Sequence, residues 1–262
     1  MGAMRLDKFL EKTLQESRSG VKKELKKGII SVNGEPELHP ERKIDPDVDR
    51  VSAGGRPLIW EKSVWLMLHK PGGCVTAAED AGHRTVMDYI DHPRRAELFP
   101  VGRLDLDTEG LLFLTNEGAT AHRMLSPSHH VEKTYFVRVR GELTDADVRA
   151  FAEGIDIGEK KKTLPAELRI LRSGADMADE ARDADCPSGK VTEAEVTICE
   201  GKFHQIKRMF ARQGCEVVYL KRIRMAGITL DEKLAPGRWR ELTKEETERL
   251  HTYAETGGSS DF

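Results

Sequence analysis

From Ser63 onward, apolar runs of strand length alternate with stretches of helical periodicity, and that alternation limits the fold more than any other feature of the chain. The strand-like runs are Val64–Leu68, Leu111–Thr115, Tyr135–Val139, Ala194–Cys199 and Val217–Leu220. Within KTYFVRVRG, Tyr135, Val137 and Val139 share one face of a strand, and Phe136, Arg138 and Arg140 share the other. Within HQIKRMFARQG, Ile206, Met209, Phe210 and Gln213 recur at helical spacing and Gly214 is a stop. Lys207, Arg208 and Arg212 lie toward the polar side of that helix. The pattern predicts an α/β (mixed α+β) domain over 63–253. Residues Gly174 to Gly189 read as a flexible, acidic insertion and 254–262 as a flexible tail. No period of 20–50 residues repeats and no segment is of low complexity.

The first fifty residues have a different grammar. Leu6, Phe9, Leu10 and Leu14 stand at helical spacing, and Ser17 and Ser19 are candidate N-caps for a second helix. In that helix Val21 and Leu25 face inward. Lys22, Lys23, Lys26 and Lys27 form a cationic face, and Gly28 stops the helix. Ile29–Val32 reads as a strand and Asn33-Gly34 as a tight hairpin turn. This segment, 4–52, predicts a small separate domain, with 53–62, containing Gly54-Gly55, as a linker.

Charge and cysteine usage narrow the function classes. The net charge of −3 argues against a nucleic-acid partner only when taken globally. Between Gly201 and Arg224, Lys202, Lys207, Arg208, Arg212, Lys221, Arg222 and Arg224 face Glu216 alone, an excess of six positive charges. Around Asp176, Asp179, Glu180, Asp183 and Asp185 the balance is acidic, as it is in the last twenty residues, so these regions are expected to lie away from a phosphate backbone. Cys74, Cys186, Cys199 and Cys215 form no close pair, and His129-His130 is too isolated to hold a metal, so no metal site is expected. Neither an apolar run long enough to span a membrane nor a signal-peptide core stands near Met4, and the cytoplasm is the expected location.

The densest chemical constellation is FPVGRLDLDTEGLLFLTNEG. There Arg103, Asp105, Asp107 and Glu109 sit between Gly102 and Gly110 and lead into an apolar strand. By themselves, acidic residues beside glycine and threonine are turn and cap formers. Closely placed carboxylates also suit glycoside hydrolysis, one serving as acid and the other as nucleophile. Neither a P-loop nor a dinucleotide fingerprint is present.

Taken together, MRLDKFL, LHKPGGCVTA, GRLDLDTEGLLFLTNEG, SPSHHVEKTY and EGKFHQIKRMFARQGCEVVYLKRIRMAGITL resemble, in order, the pseudouridine synthases of the small-subunit ribosomal synthase A type. The N-terminal segment resembles their alpha-L RNA-binding domain, the type named after the fourth protein of the small ribosomal subunit. The resemblance implies a catalytic domain built on a mainly antiparallel mixed sheet with flanking helices. It implies Asp105 as the catalytic aspartate, Tyr135 as the ring that stacks on the target uracil, and Lys207 as the basic partner of the aspartate. Leu220 falls at the apolar pocket position and Arg103 where related enzymes fill the gap left by an extruded base. Arg208 and the four lysines of the second helix are expected to bind substrate. The expected partner is ribosomal RNA, with the protein a monomer.

The chemistry agrees with that allocation. Conversion of uridine to pseudouridine breaks the glycosidic bond at nitrogen one and remakes it at carbon five without net redox change, so no cofactor is expected. The aspartate can attack the sugar or the base, or remove a sugar proton to give a glycal, and the residues do not choose among these. Base extrusion costs a few kcal/mol, of which aromatic stacking recovers about 1–3. A non-catalytic RNA-binding factor would use the N-terminal domain and the basic stripe, but would not need Asp105, Tyr135 and Lys207 together. A glycosidase lacks here the aromatic platforms of a sugar cleft. Within the family, SPSHHVEKTY and the acidic tail favour the small-subunit over the large-subunit type.

Overall fold

The computed structural model describes residues 3–14, 16–60, 63–172 and 191–256. The acidic stretch 174–189 and residues 257–262 of the expected tail lie outside the described residues. The chain divides into two compact units, Met1–Lys62 and Ser63–Phe262.

In the first unit, β1 (Met4–Arg5) leads directly into α1 (Leu6–Thr13), and α2 (Arg18–Lys26) follows. Ser17 caps α2 by accepting a hydrogen bond from the Gly20 amide (3.2 Å). Then come β2 (Ile30–Val32), β3 (Glu35–Pro36), β4 (Lys43–Ile44), β5 (Val51–Ala53) and β6 (Arg56–Leu58). Strands β3, β2, β5 and β6 form an antiparallel sheet in that order, while β4 pairs with β1. The Asn33-Gly34 turn is present, with φ of 56° and 88°, the left-handed pair that a two-residue hairpin needs. Leu6, Phe9, Leu10, Val21, Leu25, Ile30 and Val32 are buried together as the core.

The expected linker needs correction. Gly54 and Gly55, at φ 56° and 80°, turn the chain back so that β6 pairs with β5, and Trp60 stacks on Phe9 with 5.5 Å between ring centroids. A Gly-Gly pair reads as flexible in one dimension, but it also supplies the two positive φ angles of a tight turn.

Among the described residues, the second unit is built on a nine-stranded sheet with helices on both faces. Its elements in order are β7 (Trp65–Lys70), β8 (Phe99–Pro100), β9 (Glu109–Thr115), α3 (Gly118–Leu125), β10 (Lys133–Arg140), α4 (Asp145–Glu153), β11 (Glu167–Arg172), β12 (Val191–Ile198), α5 (Gln205–Arg212), β13 (Glu216–Met225), β14 (Ile228–Thr229), β15 (Trp239–Glu241) and α6 (Lys244–Thr256). The order is β11-β12-β10-β13-β9-β7-β15, with β14 on β13 and β8 on β9. The β13–β9 pairing is parallel and its neighbours along the sheet are antiparallel, so the sheet is mixed and mainly antiparallel.

Strands β7 and β9 are buried on both faces, which explains their unbroken apolar runs. Leu66, Leu68, Leu112 and Leu114 join one cluster with Tyr135, Val137 and the inner face of α5. Trp65, Met67, Leu111 and Phe113 join another with α3 and α6 residues Ala121, Met124, Leu250 and Ala254. Ile206, Met209 and Phe210 anchor α5, each such buried side chain contributing roughly 1.5–3 kcal/mol. Ala254 was expected in the tail. It is fully buried, and α6 continues to Thr256. No helix among the described residues is long and apolar enough to cross a membrane.

Candidate active site

The acidic loop before β9 is held from below by the segment LHKPGGCVT. Lys70 ends β7 with its side chain completely buried, and its ammonium donates to the carbonyls of Pro71 (3.0 Å), Leu106 (3.3 Å) and Thr108 (2.8 Å). Burial pushes that ammonium below its ordinary value. The Gly73 amide also donates to the Leu106 carbonyl (2.8 Å). The Thr76 hydroxyl donates to the Leu104 carbonyl (2.9 Å) and accepts from the Leu104 amide (3.1 Å), fixing the residue next to Asp105 from both sides. At the far end Gly110, at φ 103°, lies so close to β13 that an added Cβ would stand 2.2 Å from the Arg222 carbonyl oxygen. The Glu109 carboxylate accepts from the Tyr219 hydroxyl (2.8 Å).

This loop forms one wall of a cleft of about 450 Å³, within the range of small-molecule sites. Arg103 and Asp105 come from the loop, Tyr135 from β10, Leu220 from β13 and Lys207 from α5, so five of the expected site residues meet here. Tyr135 and Leu220 are 7% and 5% exposed and form an apolar floor. Arg103 is exposed at the opening.

The charge arrangement differs in one respect from expectation. The Lys207 ammonium hydrogen-bonds Asp107 at 2.6 and 2.7 Å and stands 3.8 Å from Asp105 Oδ2. Asp105 and Asp107 are two residues apart on one loop and both face α5, so a single lysine reaches both. Burial works to raise the Asp107 carboxyl, but the Lys207 hydrogen bond and charge outweigh it and hold the group below its ordinary value. On the other side of Asp105, His204 Nε2 stands 3.7 Å from Oδ1.

Arg208 also needs correction. One position further round α5 than Lys207, it turns away from the cleft and donates to Glu159 Oε1 (2.8 Å), the Phe203 carbonyl (3.0 Å) and the Ile157 carbonyl. The basic stripe is likewise less available than its count suggests. Arg222 is 1% exposed, with Nε donating to the Leu111 carbonyl (2.7 Å), and Lys202 lies 3.5 Å from Glu159 and 3.9 Å from Glu200. In the N-terminal unit Lys22, Lys23, Lys26 and Lys27 are all exposed, and Lys27 pairs with Glu24 at 2.6 Å.

Sequence reasoning singled out Asp107 only within the acidic constellation and not as the partner of Lys207, and it assigned no part in this site to Lys70, Thr76, Phe203 and His204. Lys70 and Thr76 stand in LHKPGGCVTA, and Phe203 and His204 in EGKFHQIKRM, so the motifs were visible; a lysine ending an otherwise apolar strand was a further signal, since such a side chain must find acceptors if buried. Nothing in the sequence tied Thr76 to the distant Leu104.

Comparison with known proteins agrees with this architecture. Residues 64–212 match the RNA pseudouridylate synthase family, and residues 4–49 match the S4 domain. The chain is 41% identical over 249 residues to an uncharacterized RNA pseudouridine synthase, YtzG, of Bacillus subtilis, covering 95% of this chain and 98% of that one. It is 39% identical over 245 residues to the ribosomal small subunit pseudouridine synthase A of Escherichia coli, covering 93% and 98% respectively. A crystal structure of a pseudouridylate synthase superposes with a TM-score of 0.64 at 36% identity, covering 94% of this chain and 99% of the other. With an S4 domain preceding a mixed sheet that carries the aspartate cleft, the chain belongs to the RNA pseudouridylate synthase family and is an isomerase of that class.

Proposed function

We propose that the protein converts a specific uridine of small-subunit ribosomal RNA into pseudouridine, acting as a cytoplasmic monomer on rRNA or an assembling subunit. The observation that carries the reading is the placement of Asp105 on a loop fixed at Leu104, Leu106 and Thr108, facing Tyr135 and Leu220 across the cleft. Relatives of near-identical length named for the small ribosomal subunit support the choice of RNA.

In this reading the uridine leaves its helix and enters the cleft, where Tyr135 and Leu220 hold the uracil. The Asp105 carboxylate starts the reaction at the sugar or the base, the bond from C1′ to N1 breaks, and the base rotates. A new bond joins C1′ to C5, C5 loses its proton and N1 gains one, so atoms and electrons balance without a redox partner. Lys207 shares its charge between Asp105 and Asp107 and keeps the cleft attractive to the strand. The exposed lysines of α2 bind phosphate independently of the cleft.

The test uses unmodified rRNA of both subunits with tritium at uracil carbon five, followed by chemical mapping of pseudouridine. Tritium release from small-subunit RNA at one position by wild type, abolished in Asp105→Asn with RNA affinity retained within a few-fold, is expected. Release from large-subunit RNA alone would overturn the choice of substrate. Comparable release by Asp105→Asn would overturn the assignment of the aspartate.

A further inference from the structure

Immediately before α5, Phe203 is 75% exposed, and its ring lies face to face on the His204 imidazole with centroids 3.8 Å apart and planes 17° from parallel. Both side chains line the same cleft as Asp105. A lone exposed phenylalanine is ordinary on a protein surface. Phe203 differs in the way it is held. His204 has φ 48° and ψ 35°, a left-handed conformation that is uncommon outside glycine and costs free energy. The turn is clamped around it. The Arg208 guanidinium donates to the Phe203 carbonyl (3.0 Å), the Lys202 amide donates to Gln205 Oε1 (2.9 Å), and Gln205 Nε2 donates to Glu200 Oε1 (2.9 Å). The rings are therefore presented outward by a fixed backbone, with the face of Phe203 opposite His204 left to solvent.

The spacing of the pair is close to the rise of about 3.4 Å per nucleotide in a stacked strand. When a uridine is drawn into the cleft, the bases on either side of it lose a stacking partner. We propose that the Phe203–His204 pair is a stacking platform for a nucleobase of the substrate strand adjacent to the uridine in the cleft. This rests on the reading of the cleft as the uridine site. Arg103, exposed at the same opening, favours a polyanionic strand over an apolar protein segment. Phe203 carries no group that can transfer a proton, so its contribution is to binding and register. Because every base has a π-face, the platform tolerates any base at the neighbouring position.

The test compares Phe203→Ala, Phe203→Leu and Phe203→Tyr with wild type in single-turnover tritium release from unmodified small-subunit rRNA. Loss of one base–aromatic stack should raise the half-saturating concentration of the Ala and Leu variants about 5- to 150-fold, with the loss falling there and not on the plateau rate. Phe203→Tyr keeps the ring and should remain within about twofold of wild type. An Ala or Leu variant that saturates like wild type, or a Tyr variant as impaired as Ala, overturns the platform. A second measurement separates this proposal from the choice of RNA. Quenching of 2-aminopurine in a single-stranded oligonucleotide should be lost in Phe203→Ala. If wild type releases no tritium, the substrate reading falls while the quenching comparison still judges the platform, and equal quenching by wild type and Phe203→Ala overturns it.

Discussion

Glu117, in the TNEG turn after β9, is expected to be one of the strongest electrostatic contributors to the catalytic unit. Its carboxylate accepts three side-chain hydrogen bonds, from Trp65 Nε1 (3.0 Å), His251 Nε2 (2.9 Å) and Thr120 Oγ1 (2.8 Å), so that it ties β7, α3 and α6 together. Its side chain is 20% exposed. Burial alone would raise its carboxyl, but the bonds from His251, Trp65 and Thr120 outweigh it and bring the group from 4.5 to about 2. At about 1.36 kcal/mol per pKa unit, the ionised group stabilises the fold by about 3 kcal/mol. Because the folded-state value is depressed, this contribution is complete above pH 4.5 and is lost as pH falls toward 2, where the unfolded chain binds the extra proton first. Glu117→Gln removes the charge and faces three donors with one acceptor and one amide donor. Urea unfolding followed by tryptophan fluorescence should find the variant about 3 kcal/mol less stable at pH 7, or roughly 6–12 °C lower in Tm for a unit of this size. The difference from wild type should shrink by about 1.4 kcal/mol per pH unit below 4.5. Parallel acid profiles of the two proteins, or equal stability at pH 7, would refute the reasoning.

Other perturbations test the site more directly. Gly110→Ala combines φ 103° with a Cβ placed 2.2 Å from a backbone oxygen of β13, and thermal melting should show a loss of roughly 3 kcal/mol or more; a Tm near wild type would show that the strands part easily. Tyr135→Phe should retain most single-turnover activity and Tyr135→Leu should lose it far more than RNA affinity, while equal inactivity would assign the role to the hydroxyl. Lys207→Met should depress the single-turnover rate, whereas Asp107→Asn, which frees Lys207 for Asp105, should stay within about tenfold of wild type; the reverse ranking would make Asp107 the working carboxylate. Replacing Lys22, Lys23, Lys26 and Lys27 by glutamate should weaken binding and flatten its salt dependence, and an unchanged slope would remove α2 from the RNA contact.

Much of this arrangement is legible in the sequence where periodicity alone determines it. The alternation of β10 places Tyr135 with Val137 and Val139, and the spacing of Ile206, Met209 and Phe210 orients α5. Asn33-Gly34 and Ser17 act through local backbone chemistry and are equally readable. What was not legible depends on contacts distant in sequence. Whether Lys207 bonds Asp105 or Asp107 depends on loop dihedrals, and no spacing rule distinguishes carboxylates two residues apart. Arg222 counts as a surface charge in a sequence tally but lies buried against Leu111, because β13 crosses the sheet interior there. β11 is an edge strand among the described residues and carries Glu167, Arg169 and Arg172, so its weak apolar signal hid it.

The parallel contact between β13 and β9 explains why these distant motifs converge. Lys221 and Arg222 sit opposite Glu109 and Gly110, so the acidic loop enters the sheet beside Leu220. The strand that supplies Leu220 also follows α5, which returns Lys207 and His204 to the same loop. A side chain at position 110 would force β9 away from β13 and separate these two sources of the cleft. Lys70 and Thr76 act on the opposite side, holding the carbonyls at Leu104, Leu106 and Thr108, where a moving backbone would misplace Asp105. The carboxylate is thus positioned by main-chain constraints on both sides, which lets its own side chain remain partly exposed and open to a substrate.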